Sequence, residues 1–404
     1  MIPKHRRPSA IFLSLLLVLL LLPVGCSKLM PDAPADDALL DGPVEGLNSA
    51  ELQRFLAGDA AFNDDIFSSA TGLGPLFVAS SCGSCHAGDG KGHPLNALTR
   101  FGQYDASGNQ YLDQGGPQLQ HRAIPGYSPE IIPAGAPFAV LLAPANTGLG
   151  FLDAVSDADI LAMADPADDN GDGISGVPNW ITPKGYTTLR PNAIEQGGQY
   201  IGRFGKKGAT YDLLQQTATA YAQDIGVNSA YEPIDVYSGN EMDPEVSNAT
   251  VHDVVFYLQT LKAPIQREQD VARVIQGAAV FTSTGCASCH VPELSTGASS
   301  IGALSNKTFR PYTDLLLHDM GPGLDDGYTE GSALTGEWRT PPLWGLGLAA
   351  DSQGGALYLM HDGRAGSIEQ AIAMHGGEAM ISRDAFLQLL TNERDALLHF
   401  LNSL

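Results

Sequence analysis

Apolar residues recur at helical spacing along several stretches of the chain, while the strict alternation of a half-buried strand is weakly represented. One helical stretch, E-L-Q-R-F-L-A-G-D-A-A-F, runs from Glu51 to Phe62. A second of similar build, E-Q-D-V-A-R-V-I-Q-G-A-A-V-F, runs from Glu268 to Phe281. Further helices are expected from Ser156 (S-D-A-D-I-L-A-M-A), from Thr210 (T-Y-D-L-L-Q-Q-T-A-T-A-Y), and over V-S-N-A-T-V-H-D-V-V-F-Y-L-Q-T-L, which stops before Pro264. The closing stretch from Arg383 to Leu404 reads as a helical hairpin or one broken helix. With 46 glycines and 26 prolines, the connections should be long loops. The pattern predicts a mainly α chain with little β, divided near Ala263 to Glu268.

The N-terminus follows another rule. Lys4, Arg6 and Arg7 precede the run Ala10 to Leu22, which is apolar except for Ser14. That run suits a secretion signal over residues 1–25 and is too short to span a bilayer. P-V-G-C, Pro23 to Cys26, is similar to a bacterial lipobox with Pro23 in place of the usual aliphatic residue, so Cys26 would carry lipid; ordinary signal cleavage is the alternative. Residues 26–47, with M-P-D-A-P-A-D-D-A-L-L-D-G-P from Met30 to Pro43, read as a tether. The expected location is the periplasmic face of a bacterial membrane, with membrane contact through the N-terminal lipid alone. At 404 residues the chain has room for two or three domains, and its net charge is -23, more negative still once the basic leader is removed. Such a polyanion repels phosphate backbones, which argues against nucleic acid and favours a basic protein or a small neutral substrate.

Four of the five cysteines fall in a repeated pattern: C-G-S-C-H at Cys82–His86 and C-A-S-C-H at Cys286–His290. A four-cysteine zinc site usually has its second pair about 15–20 residues on, which this spacing does not match. A redox-active dithiol gives no reason for His to follow both times. Covalent haem c accounts for every position, since Cys82, Cys85, Cys286 and Cys289 would add across haem vinyl groups and His86 and His290 would be proximal iron ligands. The periodic stretches at Glu51 and Glu268 then become helices packing over each haem. The expectation is two cytochrome c-like haem domains, residues 48–264 with insertions and residues 265–404, and no disulfide.

Several longer strings carry a resemblance. They are Q-L-Q-H-R-A-I-P-G (Gln118 to Gly126), D-N-G-D-G-I-S-G (Asp169 to Gly176), G-R-F-G (Gly202 to Gly205), R-P-Y-T-D-L-L-L-H-D-M-G (Arg310 to Gly321), R-T-P-P-L-W-G-L-G (Arg339 to Gly347), H-D-G-R-A (His361 to Ala365) and H-G-G-E-A (His375 to Ala379). Through them the chain resembles the di-haem oxidoreductase family of peroxidase-like proteins, also called thiol oxidoreductases, over nearly the whole mature chain. The family is related to bacterial dihaem cytochrome c peroxidases. The resemblance implies an exported enzyme that passes electrons from a donor protein, such as a small cytochrome, through the C-terminal haem to the N-terminal one, where hydrogen peroxide is reduced. A pure electron carrier with both haems six-coordinate is the alternative from another class, and oxidative modification of a protein or polymer is a third.

The resemblance also implies roles for single residues. By its spacing from His361, His375 would be the distal ligand of the C-terminal haem where relatives usually have Met, with Met374 one residue away and Met320 as another candidate. In the Thr210 helix, Gln216 would hydrogen-bond peroxide and Asp224 would move its proton. His93 and His121 are candidate displaceable ligands of the N-terminal haem, and an open position is the alternative. His318 and His361 would order backbone or haem propionates. Lys206 stands where relatives hold a bridging Trp, leaving Phe204 or an unaided crossing for the electron. Asp168, Asn170 and Asp172, with Gly173 at the turn, occupy positions 1, 3 and 5 of a calcium loop. Position 12 is Asn179 rather than Glu, so the reading stands between a calcium site and an Asx-rich turn.

Overall fold

The periodic stretch near Glu51 becomes helix α1 (Ser49–Asn63) because Asn48 caps it, accepting the N–H groups of Ala50 and Glu51 while Glu51 returns a bond to the Asn48 N–H. The computed structural model describes residues 35–105 and 107–404, so Cys26 and the expected leader lie outside the described part. Among the described residues are ten α-helices and thirteen strands of two to four residues, which form five two-stranded sheets and one three-stranded sheet. Residues 40–404 form one compact unit.

After α1 come the short helices α2 (Leu149–Asp153) and α3 (Asp157–Met163). Helix α4 (Leu213–Ala220) starts at the Asp212 cap and runs into a π-helical turn, Tyr221–Ile225. Helix α5 (Asn248–Thr260) begins at the Ser247 cap and ends ahead of Pro264, as its sequence predicts. In the C-terminal half lie α6 (Ala272–Ser283), α7 (Ala349–Ser352), α8 (Ile368–Ala373), α9 (Met380–Leu387) and α10 (Thr391–Ser403). The closing stretch is thus two helices separated at Gln388 to Leu390. Helix α6 starts later than its periodicity suggests, because Glu268 takes a positive φ of 53°.

The two halves share one local design. In the first, α1 crosses α5 where Gly58 sits on the Asp253 carbonyl, which a Cβ would strike. Phe62 lies 5.6 Å from the Tyr257 ring and 5.8 Å from His86. In the second, Gly277 of α6 sits on the Ala396 carbonyl of α10 in the same way. There Phe281 lies 5.4 Å from Phe400 and 6.5 Å from His290. Each half therefore repeats a glycine at a helix crossing, a phenylalanine four residues on, and then the Cys/His segment. The buried aromatic and aliphatic side chains collect into a core around α1 and α5 and another around α6 and α10.

Candidate functional site

Both Cys/His segments fold as single 3-10 turns, Cys82–Ser84 and Cys286–Ser288. The turn is closed by the His86 N–H on the Cys82 carbonyl and the His290 N–H on the Cys286 carbonyl, each at 3.0 Å. Both turns open onto a continuous cavity of about 810 Å³, whose wall includes all four cysteines, His86, His290 and His375. The cysteines are unpaired and half-buried. Burial pushes the Cys82 thiol up to about 12 and Cys85 up to about 11, and it raises Cys286 and Cys289 as well. A redox-active dithiol needs a thiolate stabilised near neutral pH, and these environments do the reverse.

The imidazoles are prepared differently. His290 donates from Nδ1 to the Tyr312 carbonyl at 3.0 Å, and His375 from Nδ1 to the Ala371 carbonyl at 2.7 Å. Because a carbonyl can only accept, the proton sits on Nδ1 and Nε2 keeps a free lone pair. This is the tautomer that an axial iron ligand requires. Burial lowers both, His290 to about 4. His86, also taken to about 4 by burial, has a buried Nδ1 outside hydrogen-bond geometry, although the nearby Pro144 carbonyl favours its proton. Met374 is 37% exposed and is absent from the cavity wall, whereas Met320 lines it. Paired thiols, an orphaned imidazole nitrogen, free Nε2 atoms and one large cavity fit haem.

The family model described as "Di-haem oxidoreductase, putative peroxidase" matches residues 143–404. The chain belongs to the di-haem oxidoreductase family. The match takes in the second Cys/His segment and leaves out the first, a shorter span than the strings from Gln118 onward suggest. None of the curated proteins matches the chain. Among solved structures, a hydrazine synthase of Kuenenia stuttgartiensis covers 100% of both chains at 13% identity with a TM-score of 0.38, too remote to inform function. Membership implies haem cofactors for this di-haem oxidoreductase.

On the N-terminal side of the oxidoreductase cavity, Asp224 lies in the π-turn, where its carbonyl accepts the N–H groups of Val78 at 2.7 Å and Ala79 at 3.0 Å. Its carboxylate accepts a hydrogen bond from Gln118 Nε2. Burial lifts Asp224 to about 6, against the lowering effects of Gln118 and the Arg100 charge. Arg100 is itself fixed by Glu330 at 2.6 Å and by Tyr328 Oη at 3.1 Å. Gln216 and Lys206 also line the wall. His93 and His121 are absent from it: His93 stacks edge-on against Tyr358 and accepts the Leu95 N–H, and His121 is exposed.

In the C-terminal half, His318 is clamped by Asp314 at 2.8 Å and Glu378 at 2.7 Å, with Cys289 Sγ 3.6 Å away. Two carboxylates on one ring hold it as an imidazolium, so its value is raised far above the ordinary one despite burial. Glu378 also accepts from the Ser175 hydroxyl at 2.6 Å and the Asp319 N–H at 3.1 Å. Asp314 was not singled out in the sequence, although its place four residues before His318 was a usable signal. His361 stacks flat on Trp338 at 3.8 Å, and its carbonyl accepts the Leu142 N–H at 2.8 Å. In the candidate calcium loop, Asp168 accepts the Gly173 N–H, Asn170 that of Asp172, and Asp172 that of Ile174. Asn170 and Asp172 are exposed and Asp168 is half-buried, and the three close the turn on itself.

Proposed function

We propose that the chain is an exported dihaem c-type oxidoreductase that reduces hydrogen peroxide with electrons from a protein donor. The observation that carries this reading is the opening of both Cys/His segments onto one cavity whose wall holds a half-buried carboxyl with a raised value, Asp224. Held through thioethers at Cys82, Cys85, Cys286 and Cys289, haem would supply one-electron transfer and O–O cleavage. His86 and His290 would be the proximal ligands, and His375, with its Nε2 free, the second ligand on the C-terminal side.

Hydrogen peroxide takes two electrons and two protons to become two waters, so the protein's own task is to deliver protons without admitting bulk solvent. Asp224 suits it, since a carboxyl lifted to about 6 can both hold and release a proton near neutral pH. Gln118 fixes its orientation, and the Gln118 hydrogen bond and the Arg100 charge keep its value from rising further. Gln216 would orient the peroxide. No step in this reading depends on calcium at Asp168, Asn170 and Asp172. A basic donor such as a small cytochrome suits the acidic chain, and lipid at Cys26 would hold it facing the periplasm.

The test is peroxide-dependent oxidation of reduced cytochrome c. Steady turnover with a high-spin component in the ferric spectrum supports the enzyme. Absence of turnover with two low-spin haems that stay six-coordinate on reduction makes the chain an electron carrier instead.

A further inference from the structure

The oxidoreductase has 45 acidic and 22 basic residues, yet three cations on its cavity wall have no carboxylate partner among the described residues: Lys91, Lys206 and Arg339. Other buried cations are answered by the protein itself. Arg203 pairs with Asp157, Arg190 with Asp153 at 3.0 Å, and Arg100 with Glu330 at 2.6 Å. Lys207 donates to the carbonyls of Leu334, Thr335 and Glu337 at 2.8–3.1 Å. By contrast, among the described residues the ammonium groups of the half-buried Lys91 and Lys206 make no hydrogen bond, and half-buried Arg339 reaches only the carbonyls of Gly205 and Thr340, each at 3.1 Å.

These three charges stand together. The Arg339 N–H donates to the Lys206 carbonyl at 3.0 Å, and Lys91 and Arg339 both act electrostatically on Lys206. All three line the cavity onto which both Cys/His segments open. The Lys206 charge acts on His86, and Asp314, which holds His318 beside Cys289, acts on Arg339. Burial lowers Lys206 to about 7 and Lys91 to about 8. Asp362 raises Lys206 only weakly, and its carboxylate is bonded to Arg364 at 2.7 Å. Burying cations without counter-charges is costly unless an anion arrives to meet them. Here the cavity is where it would arrive.

We propose that Lys91, Lys206 and Arg339 form a carboxylate receptor that binds the propionate groups of the haems, tying the two cofactor sites together through one cluster of positive charge. The inference rests on the dihaem reading. Propionates carry the required charge, and cations beside them disfavour the oxidised, more positive iron, so the receptor raises haem potential. A free carboxylate substrate would satisfy the same three residues.

Spectroelectrochemical titration of the holoprotein separates these cases. With both haems retained, Lys206→Met and, separately, Lys91→Met should shift at least one haem potential downward without any added anion, and Lys206→Arg should bring it back. If potentials stay put but the wild-type spectrum responds saturably to acetate, and Lys206→Met abolishes that response, the receptor serves a free carboxylate and the propionate assignment falls. Unmoved potentials with no acetate response overturn the receptor altogether. A wild-type chain carrying no haem overturns the dihaem reading along with it, whereas two haems with unmoved potentials overturn this inference alone.

Discussion

Asp224 is where burial and chemistry meet most directly. Its carboxyl is lifted from an ordinary 3.8 to about 6, so it is largely protonated below that pH and ionised above it. Peroxide turnover should therefore show a titration near pH 6 that belongs to this residue. Asp224→Asn should lower the rate about 10^2- to 10^4-fold and remove that titration while both haems stay attached. A mutant that keeps the wild-type rate and pH profile would remove Asp224 from the mechanism. His375 offers a second check, because an imidazole favours the ferric iron more than a thioether does. His375→Met should raise the C-terminal potential and introduce the weak near-infrared band of Met-ligated ferric haem. Were the wild type to show that band already, Met320 on the cavity wall would replace His375 as ligand.

The His318 clamp belongs to the same scale and concerns stability. Glu378 is held down to about 2 by the imidazolium and its other donors, so its contribution is complete above its ordinary 4.5 and is lost as pH falls toward 2. His318 is raised from 6.5, so its contribution is complete below 6.5 and is lost only as pH climbs toward its folded value. The clamp is thus fully effective between 4.5 and 6.5. Removing one partner strands a buried carboxylate, so His318→Gln should destabilise the fold by about 3–5 kcal/mol. Thermal melts across pH check this: the gap between mutant and wild type should be widest in that window and narrow at acid pH.

At the scale of elements, the sequence's helical periodicity placed α1, α4, α5 and α6 within a few residues, because an apolar stripe and a cap are both local signals. The Cys/His turns were equally legible, since all five of their positions are contiguous. Pairings across long separations were not. Gln118 meets Asp224 across 106 positions and His318 meets Glu378 across 60, and no local pattern announces either. The π-turn that carries Asp224 was also hidden, because its composition continues that of α4. Glycine at the two helix crossings is a condition for close approach. Gly277→Ala should gain up to about 1 kcal/mol in helix propensity yet destabilise the protein overall, because overpacking against the Ala396 carbonyl costs about 1–3 kcal/mol. Chemical denaturation measures the balance, and a net stabilisation would show that α6 and α10 can part without loss.

For the whole molecule, the repeated design of glycine crossing, phenylalanine and Cys/His turn makes the two halves equivalent in how they present a cofactor site to the shared cavity. The halves differ in what surrounds those sites. One has a half-buried carboxyl with a displaced value, and the other has an imidazole pair with free Nε2 atoms and a charged clamp. On the proposed reading, that asymmetry separates an enzyme with an electron-entry site and a reaction site from a carrier with two similar ones. It requires both segments to be loaded, including Cys82–His86, which lies ahead of the family match. Denatured protein stripped of unattached pigment and converted to its pyridine complex reports this directly. Two covalent haems per chain are expected, falling to one in Cys82→Ala/Cys85→Ala, whereas a wild-type count of one or none would contradict the dihaem account.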